Sequence, residues 1–435
     1  MAEWFSEYVE RVVDALGNDM LRSALGKVAT RFPRARFQLL KELPYYEYYR
    51  KRVREARLWS LEHIDDLIEM ARENIERAGA VFHYASTGEE AARYVVDVLS
   101  SRGARLVIKG KSMVTEEIFL NRALIEGGLD VIETDFGEFL IQIRGERPSH
   151  PVVPAIHLTI DEIAESLSKF LNREVPPDHS SCVKAVREYL REKFFKADAG
   201  VTGANAIAAD TGTVVIVENE GNARFVSNAP PIHIVVAGIE KVYPTVEDAV
   251  VASMLIIPNA VGLKMPSYIS LITGPSSTSD IELVSIRGAH GPRELHVVLL
   301  DNGRTKMLRD SNFREALMCL KCGTCLNICP VYRELGGQIW GYVYSGGIGA
   351  IWTSFIYGLD RAAPLAFTCL QCGRCKSVCP MEIDIPEMIL KLRKTLVESG
   401  YIPPPVVNVA RSIEEYGNPY GVPEERGEQN RTQTL

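Results

Sequence analysis

Two copies of one cysteine pattern constrain this chain more than any other feature of its sequence. Eight of its nine cysteines lie between Cys319 and Cys379, in two runs that both read C-x2-C-x2-C-x3-C-P and begin 50 residues apart. This spacing is typical of two-cluster bacterial ferredoxins, in which the fourth cysteine of each run binds the other cluster. Zinc sites more often use isolated C-x2-C pairs. The pattern therefore predicts two [4Fe–4S] clusters rather than zinc sites or free thiols.

Crossed ligation assigns three cysteines of one run and the last cysteine of the other run to each cluster. The predicted ligands of the first cluster are Cys319, Cys322, Cys325 and Cys379. The predicted ligands of the second cluster are Cys369, Cys372, Cys375 and Cys329. Sharing ligands in this way keeps the two clusters close together, which favours fast electron transfer between them.

The segment between the two runs predicts the type of ferredoxin domain. It is longer than in compact β-ferredoxins and contains the helical pattern IGAIWTSFIYGL. We therefore predict an all-α helical ferredoxin domain, similar to those of succinate dehydrogenase iron–sulfur subunits. The glycine-rich and aromatic residues of this insert fit either a partner or quinone surface or ordinary core packing.

Composition excludes several other classes of protein. The 435 residues include 49 Lys and Arg against 56 Asp and Glu, for a net charge of −7, which argues against a nucleic-acid binder held by phosphate contacts. No stretch has the composition of a conventional transmembrane span, and the N-terminus lacks an apolar signal core. Clustered thiols in a chain of this kind favour metal ligation in a reducing compartment, so we expect a cytoplasmic location.

The chain divides into four predicted regions by pattern. Residues 1–78 show helical periodicity, and residues 79–303 alternate strand and helix patterns, as in a largely parallel α/β sheet. Residues 304–400 carry the cysteine runs, and residues 401–435 form an extension whose polar end is predicted to be disordered. The predicted strands of the α/β half are AVFHYAS, ARLVIKG, DVIETD, EFLIQIR, GTVVIVEN, IHIVVAGI, YISLITG and LHVVLLDN.

Polar residues that follow these strands are the candidate binding residues of the α/β half. Ligands on such sheets sit outside the carboxyl ends of the strands, and helix starts favour anions. The same residues also suit helix caps and hairpin turns, and the sequence leaves both interpretations open. The candidates for binding a substrate or a partner are Lys109, Ser112, Thr115, Glu116, Asp135, Glu138, Thr202, Gly203, Asn205, Thr211, Gly212, Thr213, Gly221 and Asn222.

Glu220 is the candidate catalytic residue, because it lies beside a glycine at the end of a strongly apolar strand. By contrast, His150 is predicted to be a hydrogen-bonding loop residue, and the isolated Cys182 an inert thiol. The stretch around Lys111 lacks the first glycine of a Walker A motif. No GxGxxG followed by an acidic residue occurs in a βαβ context, so no nicotinamide or flavin site is indicated.

Several segments of the α/β half resemble the LUD (lactate utilisation) domain family. The matching segments are KGKSMVTEEIFLN, VIETDFGEFLIQIRGERPSH, ADAGVTGANAIAADTGTVVIVENEGNARFVSNAPPIHIVVAGIEKVYPT, ITGPSS and ELHVVLLDNGR. The resemblance continues through FREALMCLKCGTCLNICPVYRELGG into the cysteine runs. It implies a Rossmann-like α/β fold, distantly similar to ribose-5-phosphate isomerase and CoA transferases. A glutamate beside glycine in CoA transferases is best matched here by Glu218 or Glu220.

The resemblance also implies a function and partners. It implies an iron–sulfur subunit of a system that oxidises L-lactate, or a related 2-hydroxy acid, to pyruvate. The implied partners are a cysteine-rich-domain iron–sulfur protein and a short LUD protein, with a flavoprotein and an indirect quinone link as further candidates. The segment SIEEYGNPYG instead resembles heterodisulfide-reductase-like and glycerol-3-phosphate dehydrogenase iron–sulfur subunits. It keeps open an alternative, a non-catalytic wiring subunit of another redox complex.

Overall fold

The structure, a computed structural model, describes residues 3–421 and begins with four helices. The predicted disorder beyond residue 421 lies outside the described residues. The second helix starts where the Asn18 side chain accepts a hydrogen bond of 2.9 Å from the Leu21 backbone N–H, as an N-cap does. The N-terminal helices are α1 (Glu3–Gly17), α2 (Asp19–Glu42), α3 (Tyr46–Glu62) and α4 (Ile64–Arg77).

A parallel sheet of six strands forms the centre of the α/β half. Its order is β1-β12-β7-β4-β2-β3, and every pair in it is parallel. Its strands are nearly continuous apolar runs, as expected where helices cover both faces. The strands are β1 (Val81–Ala85), β2 (Leu106–Lys109), β3 (Asp130–Glu133), β4 (Ala199–Thr202), β7 (Ile232–Gly238) and β12 (Glu294–Leu300).

Helices connect these strands and cover the sheet. One of them corrects the sequence prediction, because the segment EFLIQIR lies in a helix rather than a strand. The Asp135 side chain accepts hydrogen bonds from the backbone N–H groups of Gly137 and Glu138, which starts a helix despite the alternating pattern. The helices are α5 (Gly88–Ser101), α6 (Met113–Glu117), α7 (Leu120–Glu126), α8 (Phe136–Arg144), α9 (Ile160–Leu171), α10 (His179–Lys196) and α11 (Asn222–Asn228).

A second sheet of four short strands, in the order β8-β5-β6-β9, packs between the first sheet and the N-terminal helices. Its strands are β5 (Ala206–Ala208), β6 (Thr213–Glu218), β8 (Val242–Tyr243) and β9 (Tyr268–Ile272). The remaining elements before the cysteine runs are the 3₁₀ turn Ile239–Lys241, α12 (Val246–Met254), α13 (Ile256–Val261), the ribbon of β10 (Ser277–Thr278) and β11 (Ile286–Arg287), α14 (Arg304–Arg309) and the 3₁₀ turn Arg314–Met318.

The C-terminal region is helical throughout the described residues. Its elements are α15 (Thr324–Asn327), α16 (Pro330–Leu335), α17 (Gly346–Ile356), α18 (Leu359–Thr368), α19 (Arg374–Val378), α20 (Ile385–Glu398) and α21 (Pro404–Tyr416). A single hydrophobic core joins these helices to the N-terminal helices and to part of the small sheet. The expected α/β half followed by a helical half is therefore confirmed, whereas the division at residues 78, 303 and 400 stays a prediction. No helix in the range 3–421 combines the length and apolarity that crossing a membrane requires.

Candidate cluster sites and an adjoining crevice

The thiols of the two cysteine runs form two groups, and each group contains thiols from both runs. Burial raises the pKa of Cys322 to about 12, and the charges that act on this thiol include those of Cys319 and Cys379. Burial likewise raises the pKa of Cys325, with contributions from the same neighbours. The fourth cysteine of the second run thus lies beside the first three cysteines of the first run.

The second group has the converse composition. Burial raises the pKa of Cys375 to about 12, and the thiols acting on it include Cys369, Cys329 and Cys372. A single cavity is lined by all four of these cysteines. Cys325 of the first group lines the same cavity, so the two groups are neighbours. This is the crossed arrangement that two-cluster ferredoxins use.

Backbone N–H groups point at the sulfurs, as a site for a thiolate-bound cluster requires. The Lys321 N–H donates to Cys319 Sγ at 3.4 Å, and backbone donors near Tyr332 and Met381 lower the pKa of Cys329 and Cys379 against the effect of burial. Such hydrogen bonds are one of the factors that set cluster potentials. The residues present fit the clusters, and the individual ligand assignments stay predictions.

Left-handed backbone conformations let each cysteine loop turn tightly, with its thiols on one side. Lys321 and Gln371, at the same position of the two runs, have φ of 59° and 56°, and the following Gly323 and Gly373 have φ of 76° and 75°. Within residues 3–421 no three His, Cys, Asp or Glu side chains are gathered closely enough to hold a single metal ion.

Most of the candidate residues of the α/β half lie near one point of the large sheet. Chain connections leave β2 and β4 in opposite directions, so the switch point between these two strands forms a crevice. Lys109 ends β2 and Thr202 ends β4 at this edge. The segments that follow β2 and β4 approach each other closely, since a Cβ added to Gly203 would lie 2.5 Å from Ser112 Oγ. We call this region the switch crevice.

A buried ion network forms the floor of the switch crevice. The Lys109 ammonium lies 2.7 Å from Glu133 Oε1 and 3.0 Å from Glu116 Oε1, and it donates to Thr115 Oγ1 at 3.0 Å. Burial by itself would lower the pKa of Lys109, but the neighbouring carboxylates raise it above its usual value. Ser112 accepts a hydrogen bond from the Thr115 N–H, so its capping role is realised.

Two carboxyl groups with raised pKa line the switch crevice. Burial raises the pKa of Glu138 to about 8, against the opposing charge of Lys111. Partial desolvation and the neighbouring Asp135 raise the pKa of Glu220 to about 7, although its side chain is exposed, and Glu220 Oε2 accepts a hydrogen bond of 3.1 Å from the Phe136 N–H. Groups poised near neutral pH in a cleft are candidates for acid–base chemistry.

Other candidate residues beside the switch crevice are engaged in contacts within the protein. Asn222 donates to Thr134 Oγ1 at 3.2 Å, and Gly221 adopts a φ of 84° that positions it after Glu220. Thr202 Oγ1 lies 2.8 Å from His233 Nε2, in a fully buried pair. Asn205 is occupied elsewhere, since its Oδ1 accepts the Val217 N–H at 2.8 Å across the small sheet.

Three predicted residues have hairpin contacts instead of crevice contacts. Thr211, Gly212 and Thr213 form the turn between β5 and β6, where the hydroxyls of Thr211 and Thr213 lie 2.7 Å apart. A Cβ on Gly212 would lie 2.5 Å from the backbone nitrogen of Ile75 in α4. The contacts of these residues favour the hairpin interpretation. Cys182 is buried, and burial raises the pKa of its thiol, which agrees with an inert cysteine.

Sequence reasoning missed the residue that connects the switch crevice to the first thiol group. The Lys111 ammonium is buried without a hydrogen-bond partner, and its charge acts on Glu138, Glu220 and His150. Burial lowers the pKa of His150 to about 3, so this ring is neutral. His150 also lines a cavity with Cys319 and Cys325. A lysine just after the end of β2 was the only signal that the sequence offered.

Comparisons with known proteins agree with this organisation. Residues 68–300 match the LUD domain family, and residues 315–383 match the 4Fe-4S dicluster domain family. Lactate utilization protein B from Bacillus thuringiensis (strain Al Hakam), Bacillus cereus (strain AH187) and Bacillus anthracis (strain A0248) is 38% identical over 392 residues, which are 90% of this chain and 81% of each relative. A solved DUF162 family protein from Deinococcus radiodurans aligns with 55% of this chain and 98% of its own, at 18% identity and a TM-score of 0.31.

The dicluster match and the two groups of four thiols establish the cofactors. The chain carries two [4Fe–4S] clusters, as the cysteine spacing predicts.

Proposed function

Because this chain belongs to the lactate utilization protein B family, we propose that it is the iron–sulfur electron-transfer subunit of a complex oxidising L-lactate to pyruvate. A related 2-hydroxy acid is the nearest alternative substrate. Iron–sulfur ligation requires reduced thiols, so the proposed location is the cytoplasm. The likeness of the α/β half to ribose-5-phosphate isomerase and CoA transferases stays a prediction.

One observation carries the proposal: the switch crevice and the first thiol group share a wall. Met113, which begins α6 two residues after Lys111, lines the cavity that contains Cys319 and Cys325. His150 lines the same cavity and faces the charge of Lys111. A molecule bound in the switch crevice would therefore react close to the first cluster. When bound, the clusters accept and release single electrons.

The residues of the switch crevice suit a small 2-hydroxy acid. Lys111 has a buried ammonium without a partner, which a substrate carboxylate would satisfy. Glu220, with a pKa of about 7, would take the proton of the substrate hydroxyl when ionised. Glu138 holds its proton at neutral pH, because its pKa is about 8, and can donate a hydrogen bond to the substrate.

The oxidation of lactate to pyruvate releases two electrons and two protons. Hydride removal needs a two-electron acceptor, which single clusters do not supply. We therefore include a flavoprotein among the proposed partners, with the cysteine-rich-domain iron–sulfur protein and the short LUD protein. Electrons would leave at the second cysteine run, where Cys372 is exposed to solvent. An indirect link to quinone would follow through these partners.

Replacing the candidate base tests whether the α/β half takes part in the reaction. In the complex purified anaerobically with its partners, Glu220→Gln is expected to abolish cluster reduction by L-lactate while iron content stays unchanged. The matched control is Glu126→Gln, at an exposed ion pair with Arg122, which leaves reduction intact. Unchanged reduction in Glu220→Gln would instead support the alternative of a non-catalytic wiring subunit, heterodisulfide-reductase-like or glycolate or glycerol-3-phosphate dehydrogenase-like.

A further inference from the structure

An excess of positive charge is buried between the α/β half and the first cysteine run. The four basic side chains of this group act together on the carboxylate of Glu240, and a second buried carboxylate, Glu117, is paired with one of them, Arg304. The cations are Arg57, Lys241, Arg304 and Lys321. We call these six side chains the buried cation cluster. Four basic side chains face two carboxylates, so basic groups are in excess in this cluster.

One cation uses both of the carboxylates. Arg304 is fully buried, and its two terminal nitrogens lie 2.8 Å from the two oxygens of Glu117. Its Nε binds Glu240, and Tyr344 donates to Glu117 at 2.6 Å. These charge-assisted bonds satisfy Arg304 and leave the other three cations without a carboxylate of their own.

Two of the remaining cations have no hydrogen-bond partner. All three guanidinium nitrogens of Arg57 are buried and unpaired, and the group lies 4.6 Å over the ring of Tyr243. The Lys321 ammonium is also buried and unpaired, 3.2 Å from the ring centroid of Trp352 and 3.9 Å from that of Tyr344. Uncompensated buried charge is costly, so an anion is expected within reach of this cluster.

The first cluster is the anion that the geometry offers. Lys321 lies between two of its predicted ligands in sequence, and its side chain lines the cavity that Cys319 and Cys325 also line. The charge of Cys319 acts on both Lys321 and Lys241. A cubane with four thiolates is negatively charged, and each added electron makes it more so. Nearby positive charge therefore favours the reduced form and raises the reduction potential.

The second run lacks this arrangement at the equivalent position. Gln371, a neutral side chain, replaces Lys321, with the same left-handed backbone conformation. Arg393 is the cation that acts on Cys369, but it is half-buried and donates to three backbone carbonyls. Lys376 is exposed and paired with Asp384. Arg374, the other base of the second run, is exposed as well. Lys321 and Gln371 thus form a natural pair of equivalent positions that differ in charge.

We propose that Lys321, with the rest of the buried cation cluster, is a positioning residue that raises the reduction potential of the first cluster. The inference rests on the two-cluster function, and it does not depend on the substrate. It assigns the difference between the two clusters to residues other than the cysteines. Electrons released beside the switch crevice would then be held at the first cluster until the second cluster and a partner accept them.

An exchange of the two equivalent residues tests the proposal. The full chain, reconstituted anaerobically, is titrated with a redox mediator series while EPR follows each cluster. In Lys321→Gln, the midpoint potential of the first cluster is expected to fall by at least about 59 mV. For a one-electron couple, this shift is a tenfold change in the ratio of reduced to oxidised cluster. In Gln371→Lys, the other midpoint is expected to rise. Lys321→Arg keeps the charge and is expected to keep the potential.

The outcomes separate this inference from the proposed function. Midpoints that do not move in Lys321→Gln and Gln371→Lys would overturn the role of Lys321 while leaving two loaded clusters in place. A wild-type chain that binds no cluster would overturn the proposed function itself. Where iron analysis shows that Lys321→Gln loads only one cluster, Lys241→Met decides instead, because Lys241 lies far from the cysteines in sequence. An unchanged potential in that variant would contradict the proposal.

Discussion

The two cysteine runs share one sequence pattern but lie in opposite environments. In the first run, Cys322 and Leu320 are only 6% and 5% exposed. In the second run, Cys372 is exposed and Leu370 is 65% exposed, and α19 buries none of its residues. The pattern therefore predicts ligands, whereas the surroundings contributed by the rest of the chain distinguish the two sites.

The difference teaches how one chain can contain an inner and an outer electron carrier. The first run packs against the N-terminal helices, the switch crevice and the buried cation cluster, which apart from Lys321 come from residues before 310. The second run packs against the first run and against α16, α17 and α20, and its loop faces solvent. The inner site is suited to the reaction and the outer site to a partner. The following predictions test this contrast in order of expected effect.

The largest effect is expected from losing one cluster rather than the other. Cys322→Ser should remove the first cluster and leave the buried cation cluster without its anion. We expect a loss of more than about 5 kcal/mol in the free energy of unfolding, since metal-binding energy is also folding energy. Cys372→Ser should lose a similar amount of iron with a smaller loss of stability. Iron analysis and thermal unfolding check this, and equal destabilisation would break the contrast.

The next effect concerns the ion pairs near each run. Arg304→Met removes the ion-pair partner that Glu117 and Glu240 share in the interior, so we expect a loss of about 3–5 kcal/mol in the free energy of unfolding. Asp384→Asn removes the exposed partner of Lys376 near the second run and should change stability very little. Denaturant titrations of both variants measure the difference. An unchanged free energy of unfolding in Arg304→Met would contradict the buried ion pairs of Arg304 with Glu117 and Glu240.

A third effect concerns electron transfer to a partner. Leu370→Glu places a charge on the exposed loop beside Cys372, and we expect the rate of electron transfer to the partner to fall about tenfold. Leu283→Glu, at a residue that is 91% exposed outside the cysteine runs, is the matched control. Stopped-flow reoxidation of the reduced chain by its partner gives the rates. An unchanged rate in Leu370→Glu would remove the second run from the partner surface.

The smallest effect is a pH dependence on the inner side. The pKa of Glu138 is raised from 4.5 to about 8 in the folded chain, so the folded state keeps a proton that the unfolded state releases. The stabilisation is complete below about pH 4.5 and is lost as the pH rises through 8. Glu138→Gln should therefore become more stable relative to wild type between pH 5 and pH 9, by at least about 1 kcal/mol. Glu126→Gln on α7 should not, and a parallel response of the two variants would contradict the burial of Glu138.

Much of the fold follows from local pattern, and its exceptions have local causes. Strands such as β7 and β12 are continuous apolar runs and were predictable from sequence. The segment EFLIQIR was predicted as a strand because its apolar residues alternate, but the cap at Asp135 overrides that pattern. This helix cap depends on one side chain and two backbone N–H donors, so the spacing of apolar residues does not reveal it.

The candidate site was predictable only in part. The cysteine spacing predicts the grouping of Cys379 with the first run, because in this repeated pattern the fourth cysteine of each run binds the other cluster. Glu138 and Glu220 were identified from strand ends, whereas Thr211 and Thr213 met the same criterion and lie in a hairpin. Lys111 and Lys321 were missed because their importance depends on burial without a partner, and burial depends on segments distant in sequence.

EPR of the anaerobic complex before and after addition of L-lactate tests the central claim most directly. The account predicts that reduced [4Fe–4S] signals appear with L-lactate in the wild type. It also predicts that they are lost in Glu220→Gln, although dithionite still reduces the clusters of that variant. Clusters of the wild type that dithionite reduces and L-lactate does not would contradict the account and assign this chain to another electron donor.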